Sequence, residues 1–221
     1  MKRQKPLMAH FLSTHLYGIT AYEYSLGRSN VEVVKQMLTA GIKVIQYREK
    51  ERKLDVMYEE CLAIRALTQD AGATFIVNDH VDLAMMVKAD GVHIGQNDLP
   101  PLEVRALIGE EMILGLSTHL PEQAKRAEAL GVVDYIGVGP IFATQTKKDV
   151  CAPVGFDYLD YVVSNISLPF VAIGGIKEHN LNDVLGHGAR MVALVTQIVG
   201  ALDIASKVEE INAIVKKSTS L

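Results

Sequence analysis

Neither sign of charge dominates this sequence. Its 22 Lys and Arg are set against 26 Asp and Glu, for a formal net charge of −4 and a pI near 6.0. That balance argues against a nucleic-acid partner or an anionic membrane surface. Cysteine is nearly absent: Cys61 and Cys151 stand alone, with no CxxC and no metal-ligand spacing, which suits a reducing cytosol. Neither has the surroundings of a nucleophile. No uncharged apolar run approaches the length of a membrane span. The basic start (Met1-Lys2-Arg3-Gln4-Lys5) leads into a short apolar stretch over 6–12 with no small-residue cleavage site, so no signal peptide is expected. Linkers, low-complexity tracts and composition shifts are missing too. A soluble, cytoplasmic chain folded as one domain over 1–221, with a short N-terminal extension over 1–15, is the expectation.

What is present is alternation. Short β-like runs at 16–20, 42–47, 74–77, 91–94, 112–116, 134–138, 170–173 and 191–195 are separated by amphipathic, helix-like stretches. These lie near 30–40, 54–71, 80–89, 100–109, 121–130, 155–164, 178–187 and 203–217. Asn30, the stretch from Ser117 to Pro121, and Lys177-Glu178 carry helix-start chemistry. Unbroken βα alternation implies parallel strands with helices outside. Eight such units suit a closed (β/α)8 TIM barrel, an α/β fold, better than an open doubly wound sheet. The longest connection, 139–154, follows the sixth strand, and connections of that length often serve as lids.

Chemistry collects where the apolar runs stop. Gln46, Arg48 and Lys50 alternate in the segment Gln46-Tyr47-Arg48-Glu49-Lys50, so an extended chain turns an amide, a guanidinium and an ammonium to one side. Burying that much positive charge calls for an anionic partner such as a pyrophosphate or carboxylate. Asn78 and Asp79 follow the third run, Asp98 the fourth, Ser117 and His119 the fifth. Thr144, Thr146 and Lys147 follow the sixth, Gly174 and Gly175 the seventh, and Thr196 the eighth. Residues placed only for structure would scatter over helix faces and both barrel ends, whereas these all fall at the carboxyl-end rim used by barrel enzymes.

Asp79 and Asp98 beside a phosphate-bearing ligand suit a Mg2+ site, although Asp79 could equally cap the helix that follows it. Gly174-Gly175 lets backbone N–H groups approach a phosphate, or simply forms a tight turn. Lys147 suits an anion, while Lys148 suits solvent or an ion pair with Asp149. His93, inside a strand, reads as a packed, hydrogen-bonded barrel residue. His119 suits either the start of a helix or the rim, and Met85-Met86 reads as core filling.

Several of these segments resemble thiamine-phosphate synthases. They are the segment from Gln46 to Lys50, Asn78-Asp79, DGVHIGQND from Asp90, GLSTH from Gly115, YIGVGPIFATQTKK from Tyr135 and AIGGI from Ala172. The resemblance runs in order from about Tyr17 to Thr196. It implies a transferase of thiamine biosynthesis that joins 4-amino-2-methyl-5-hydroxymethylpyrimidine diphosphate to 4-methyl-5-(2-hydroxyethyl)thiazole phosphate, releasing pyrophosphate. It assigns Gln46, Tyr47, Arg48, Glu49, Lys50, Asn78, Ser117 and Lys147 to the pyrimidine diphosphate, with Asp79 and Asp98 as Mg2+ ligands. Thr144, Gln145, Thr146, Gly175, Val195 and Thr196 fall to the thiazole phosphate. Catalytic duty falls to Arg48, Lys50, Lys147 and Ser117, which stabilise a leaving diphosphate while the thiazole nitrogen captures a pyrimidine cation.

The implied partners are these two small molecules, with a homo-oligomer left open. Members of the family often have Ser at the place of Thr196 and Asp at the place of Ala21, so the segment 21–28 carries no assignment. A related thiazole tautomerase branch lacks the paired aspartates and has His where this chain has Pro140. A silent phosphate-ligand-binding barrel would have little need of Asp79, Asp98 and Lys147 together. An unrelated isomerase or epimerase would show an acid–base pair on the rim instead.

Overall fold

The computed structural model describes residues 6–144 and 151–219. Eight parallel strands follow one another around a single sheet in chain order. They are β1 (Gly18–Ile19), β2 (Val44–Tyr47), β3 (Thr74–Asn78), β4 (Gly91–Ile94), β5 (Ile113–Thr118), β6 (Tyr135–Val138), β7 (Phe170–Ile173) and β8 (Val192–Ala193). The ring closes through a parallel bridge between Leu16 and Val192, where Tyr17 N–H donates to Val192 (3.0 Å) and Val192 N–H donates to His15 (2.9 Å). The expected (β/α)8 barrel is therefore the observed one.

Helices α1 (Ala9–Ser13), α2 (Asn30–Thr39), α3 (Leu54–Asp70), α4 (Val81–Met86), α5 (Pro101–Ile108), α6 (Pro121–Leu130), α7 (Gly155–Asn165), α8 (Glu178–Gly186), α9 (Val195–Val199) and α10 (Ile204–Thr219) accompany the strands. Pro at the first position and Gly131 in the left-handed region just past the end bound α6, and both are common stop and start chemistry. The first helix after β1 is capped by Ser29, whose hydroxyl accepts from Glu32 N–H, so Asn30 is its first helical residue and not its cap.

Strand alternation divides the interior in two. Ile45, Tyr47, Phe75, Val77, Val92, Ile94, Leu114, Leu116, Ile136 and Val138 point outward into the layer under the helices. Tyr17, Ile19, Val44, Ile76, Ile113, Tyr135, Val171 and Met191 point inward and fill the barrel. Glycines make room for the larger of these. A Cβ at Gly115 would lie 2.3 Å from Tyr135 Cζ and 2.5 Å from His93 Nδ1, so neither ring could keep its place beside a larger residue.

Two expectations need correction. Met85 and Met86 are 45% and 64% exposed, not core, because the short α4 spends its buried face on Val81, Leu83 and Ala84. The terminal strands are shorter than their apolar runs, and the chain leaves β8 after Ala193 to begin α9. Thr196 consequently stands in a helical turn and not in an open loop. The apolar stretch near the start is also structural. It forms a 3-10 turn (Pro6–Met8) and α1, placing Met8 and Phe11 among the barrel-filling side chains. Phe11 packs on Tyr17 (5.6 Å between ring centres) and Tyr135 (4.4 Å). His10 reaches Thr74, the first residue of β3, so α1 plugs the amino end of the barrel.

The amino end also holds two matching ion pairs. Asp90 takes Arg65 (2.7 Å) and the N–H of Phe75 (2.8 Å); Asp134 takes Arg105 (2.7 Å) and the N–H of Leu114 (2.8 Å). Each carboxylate thus joins a helix to a neighbouring strand, with hydrogen bonds offsetting the desolvation of the charges. Replacing the plug residue, Phe11→Ala, is expected to lower unfolding stability by about 3 kcal/mol. Urea denaturation monitored by circular dichroism measures it, and an unchanged midpoint would show that α1 does not stabilise the barrel.

Candidate active site

The carboxyl ends of the strands surround a cavity of about 1210 Å³. Gln46, Arg48, Lys50, Asn78, Asp79, Asp98, Ser117, Thr144, Gly175, Val195 and Thr196 all line it. Residues from all the later strand ends and from β2 therefore meet in one place. Gln145, Thr146 and Lys147, with Lys148, lie outside the described residues. Among the described residues, Tyr47 and Glu49 are the two expected site residues that do not line the cavity. Alternation turns Tyr47 outward, where it is fully buried and its hydroxyl donates to Glu60 (2.7 Å). Glu49 accepts the Tyr22 N–H (3.0 Å), and burial raises its carboxyl above the ordinary glutamate range.

The cationic segment is held by its backbone. Thr20, buried after β1, accepts the N–H of Arg48 (2.8 Å) and donates to its carbonyl (3.3 Å). Both polar groups of that peptide are thus satisfied by one hydroxyl, leaving the guanidinium to face the cavity. Lys50 extends to Asp79 (3.3 Å).

Asp79 has a positive φ of 62°, a conformation that Asp tolerates better than most residues, and its N–H donates to the His93 carbonyl (2.8 Å). Helix α4 is capped at His80 without a side-chain bond, and the Asp79 carboxyl turns to Asp98 and Lys50. Burial, and next the charge and hydrogen bonding of Asp98, raise the Asp79 carboxyl above the ordinary aspartate range; Lys50 partly counters them. Asp98 is held in turn by the N–H of Gly95 (2.6 Å). Two hard oxygen donors that repel one another suit a divalent cation, which would relieve that repulsion. Among the described residues no group of three or more His, Cys, Asp or Glu gathers into a metal site. Water and ligand oxygens would therefore complete the shell, as Mg2+ prefers.

At the other side, Gly174 and Gly175 have φ of 99° and 63°. A Cβ on Gly174 would lie 2.3 Å from that of Pro140, and one on Gly175 would lie 2.6 Å from the Ala143 carbonyl. The pair thus serves close packing of the loop after β6, whose Phe142 N–H donates to Gly174 (2.9 Å). It also leaves backbone, with no side chain, at the cavity wall. Val195 and Thr196 open the short α9 beside it, presenting helix-start N–H groups.

The floor is polar and ordered. Gln46 Nε2 donates to the Tyr17 hydroxyl (2.9 Å), which lies 2.8 Å from the Tyr135 hydroxyl. Tyr135 meets His93 Nδ1 (2.9 Å), and His93 Nε2 meets Ser117 Oγ (2.9 Å). His93 is thus the hydrogen-bonded barrel residue expected of it. Burial pushes both phenols well above the usual tyrosine range. His119 fills both of its expected roles: its N–H donates to Gln123 at the start of α6, and its ring lies at the rim, 2.5 Å from the Gly139 carbonyl.

Sequence reading missed Tyr17, Tyr24, Gln96, Tyr135 and Lys177, all of which line the cavity. Inward position on a strand could have marked Tyr17 and Tyr135. Nothing local marks the others. Cys151 is exposed and also lines the cavity, while Cys61 lies on the buried face of α3 with its thiol pushed up by burial. The unassigned segment 21–28 gains a structural role through Arg28, which donates to the carbonyls of Val199 (2.6 Å) and Ala201 (2.8 Å). That guanidinium holds the far end of α9.

Residues 16–198 match the thiamine monophosphate synthase family. The chain belongs to that family. It is 66% identical over 210 residues to a thiamine-phosphate synthase of Pelotomaculum thermopropionicum, covering 95% of this chain and 96% of the relative. To one from Lawsonia intracellularis it is 56% identical, covering 90% and 92%. A thiamine phosphate pyrophosphorylase from Pyrococcus furiosus superposes with a TM-score of 0.83 at 35% identity, covering 92% of this chain and 96% of that one. The geranylgeranylglyceryl phosphate synthase of Thermoplasma acidophilum shares only the fold, with a TM-score of 0.66 at 13% identity. No helix among the described residues is long and apolar enough to cross a membrane.

Within this family member, the raised Asp79 carboxyl has a consequence for stability. Its folded form holds the proton more tightly than the unfolded one, so ionisation disfavours the fold. The penalty is absent below the ordinary aspartate range and grows as pH rises through it. Asp79→Asn is therefore expected to raise the melting temperature of the metal-free protein at pH 7 by roughly 1–3 °C. The gain should vanish in melting curves near pH 3; a variant that melts lower than wild type at pH 7 would refute the assignment.

Proposed function

We propose that this chain condenses 4-amino-2-methyl-5-hydroxymethylpyrimidine diphosphate with 4-methyl-5-(2-hydroxyethyl)thiazole phosphate, giving thiamine phosphate and pyrophosphate. The observation that carries the reading is one cavity with two different anion-binding walls. Arg48 and Lys50 meet the Asp79–Asp98 pair on one side, and Gly175, Val195 and Thr196 stand on the other. The first wall suits a diphosphate with its cation; the second suits a monophosphate held by backbone N–H groups and a hydroxyl.

Gln46, Asn78 and Ser117 on the floor would hold the pyrimidine ring, with the diphosphate over Arg48 and Lys50. Asp79 and Asp98 would hold Mg2+, which supplies positive charge against the leaving diphosphate. Arg48, Lys50 and, by family resemblance, Lys147 neutralise the charge that grows on the diphosphate as its C–O bond breaks. The electron-rich ring stabilises the carbon left behind. Ser117 and Gln46 keep that ring oriented, and the Thr144, Gly175, Val195 and Thr196 side holds the thiazole so that its nitrogen meets the cationic carbon. Resemblance adds Gln145 and Thr146 to that side. No strong general base is needed, because the attacking nitrogen carries no proton to remove. Two unpaired cysteines support a cytoplasmic setting.

The purified protein is expected to release one pyrophosphate per thiamine phosphate formed, only with both substrates and Mg2+ present. Ligand binding without pyrophosphate release would replace the synthase with a binding protein. Interconversion of thiazole carboxylate isomers without metal would point to a tautomerase. Lys147→Ala should slow single-turnover bond breaking by about a hundredfold while altering thiazole phosphate affinity far less. An unchanged rate with a raised Kd for thiazole phosphate would move Lys147 to the acceptor side.

A further inference from the structure

Gln46 on β2 and Ser117 on β5 are joined beneath the cavity by the four side-chain hydrogen bonds through Tyr17, Tyr135 and His93. Such a chain has a direction. Nε2 of Gln46 can only donate, so Tyr17 accepts there; in the arrangement that leaves no buried hydrogen without an acceptor, Tyr17 gives its own to Tyr135. Tyr135 then donates to Nδ1 of His93. The remaining imidazole proton sits on Nε2 and goes to Ser117 Oγ, whose own hydrogen is left for the cavity. At the other end, the chain leaves Oε1 of Gln46 for a ligand. The floor therefore offers an acceptor at Gln46 and a donor at Ser117.

Reversing the line while keeping every hydrogen used requires the Gln46 amide to turn over as well, presenting Oε1 to Tyr17. The floor would then offer a donor at Gln46 and an acceptor at Ser117. These two states suit different ligands. An aminopyrimidine offers an N–H and ring-nitrogen lone pairs, the complement of the first state. The 4-oxo ring offers a carbonyl and a ring N–H, the complement of the second. Both phenols are buried, at 2% and 1% exposure, so their hydroxyls satisfy one another and not bulk water.

We propose that Tyr17, Tyr135 and His93 are positioning residues that set the donor–acceptor polarity of the cavity floor and thereby select an aminopyrimidine over its oxo counterpart. This rests on reading Gln46 and Ser117 as the pyrimidine site.

The test compares wild type, Tyr17→Phe and Tyr135→Phe, each retaining its ring. The 4-amino and 4-oxo pyrimidine diphosphates are titrated by calorimetry with Mg2+, and their turnover is measured with thiazole phosphate. Wild type is expected to prefer the amino ligand by about a thousandfold. In both variants the preference should fall at least about tenfold, through weaker amino-ligand binding and a raised KM, with kcat much less affected. Undiminished preference in both variants overturns the inference, as does a wild type with none. Nitrogen-15 shifts of His93 in the wild type decide the matter if a variant fails to fold: a proton on Nε2 supports the proposal, and one on Nδ1 overturns it. A wild type that forms no thiamine phosphate refutes the proposed function, whereas the calorimetric preference alone judges the polarity.

Discussion

Closure of the sheet between β1 and β8 is the constraint on which the rest depends. Two backbone hydrogen bonds around Leu16 and Val192 complete the ring. Once it is closed, every strand must send its carboxyl end to the same mouth. That shared mouth turns Gln46, Asp79, Asp98, Ser117 and Gly175, far apart in the chain, into neighbours. An open sheet with the same strands would spread them along an edge, and the two anion-binding walls would not face each other.

The inside of the ring sets a second condition. A barrel of eight strands has room only for interlocking side chains, and glycine at 115 is what admits Tyr135 and His93 together. Large polar side chains in so dry a place must satisfy one another. They do so in a line that surfaces at both ends in the cavity. Packing and recognition therefore use the same atoms, with the barrel filling forming the floor of the site.

Much of this was legible in the sequence, for a physical reason. Buried parallel strands are short continuous apolar runs, and the polar residues that end each run must lie at the mouth. Asp79, Asp98 and Ser117 could be placed on the rim before any fold was known, and resemblance supplied substrates that spacing cannot. Tyr47 and Glu49 belong to the same motif as Arg48, yet the period of two turns their side chains away from the cavity. The tyrosine line was invisible because its links span up to 118 residues. Met85 and Met86 look like core by composition, and only the shortness of α4 exposes them.

The α1 plug bears on how the chain comes together. Phe11 is synthesised well before its partner Tyr135, which belongs to the sixth strand. Until β6 has been made, Phe11 has no completed barrel to enter, and it finds its place only when strands well separated in the chain are present. Local helices form early, but this contact must await a loop of more than a hundred residues, which makes it a late and slow event in folding. A nascent chain stalled before β6 would present Met8, Phe11 and Tyr17 to solvent, a surface that chaperones and aggregation alike recognise.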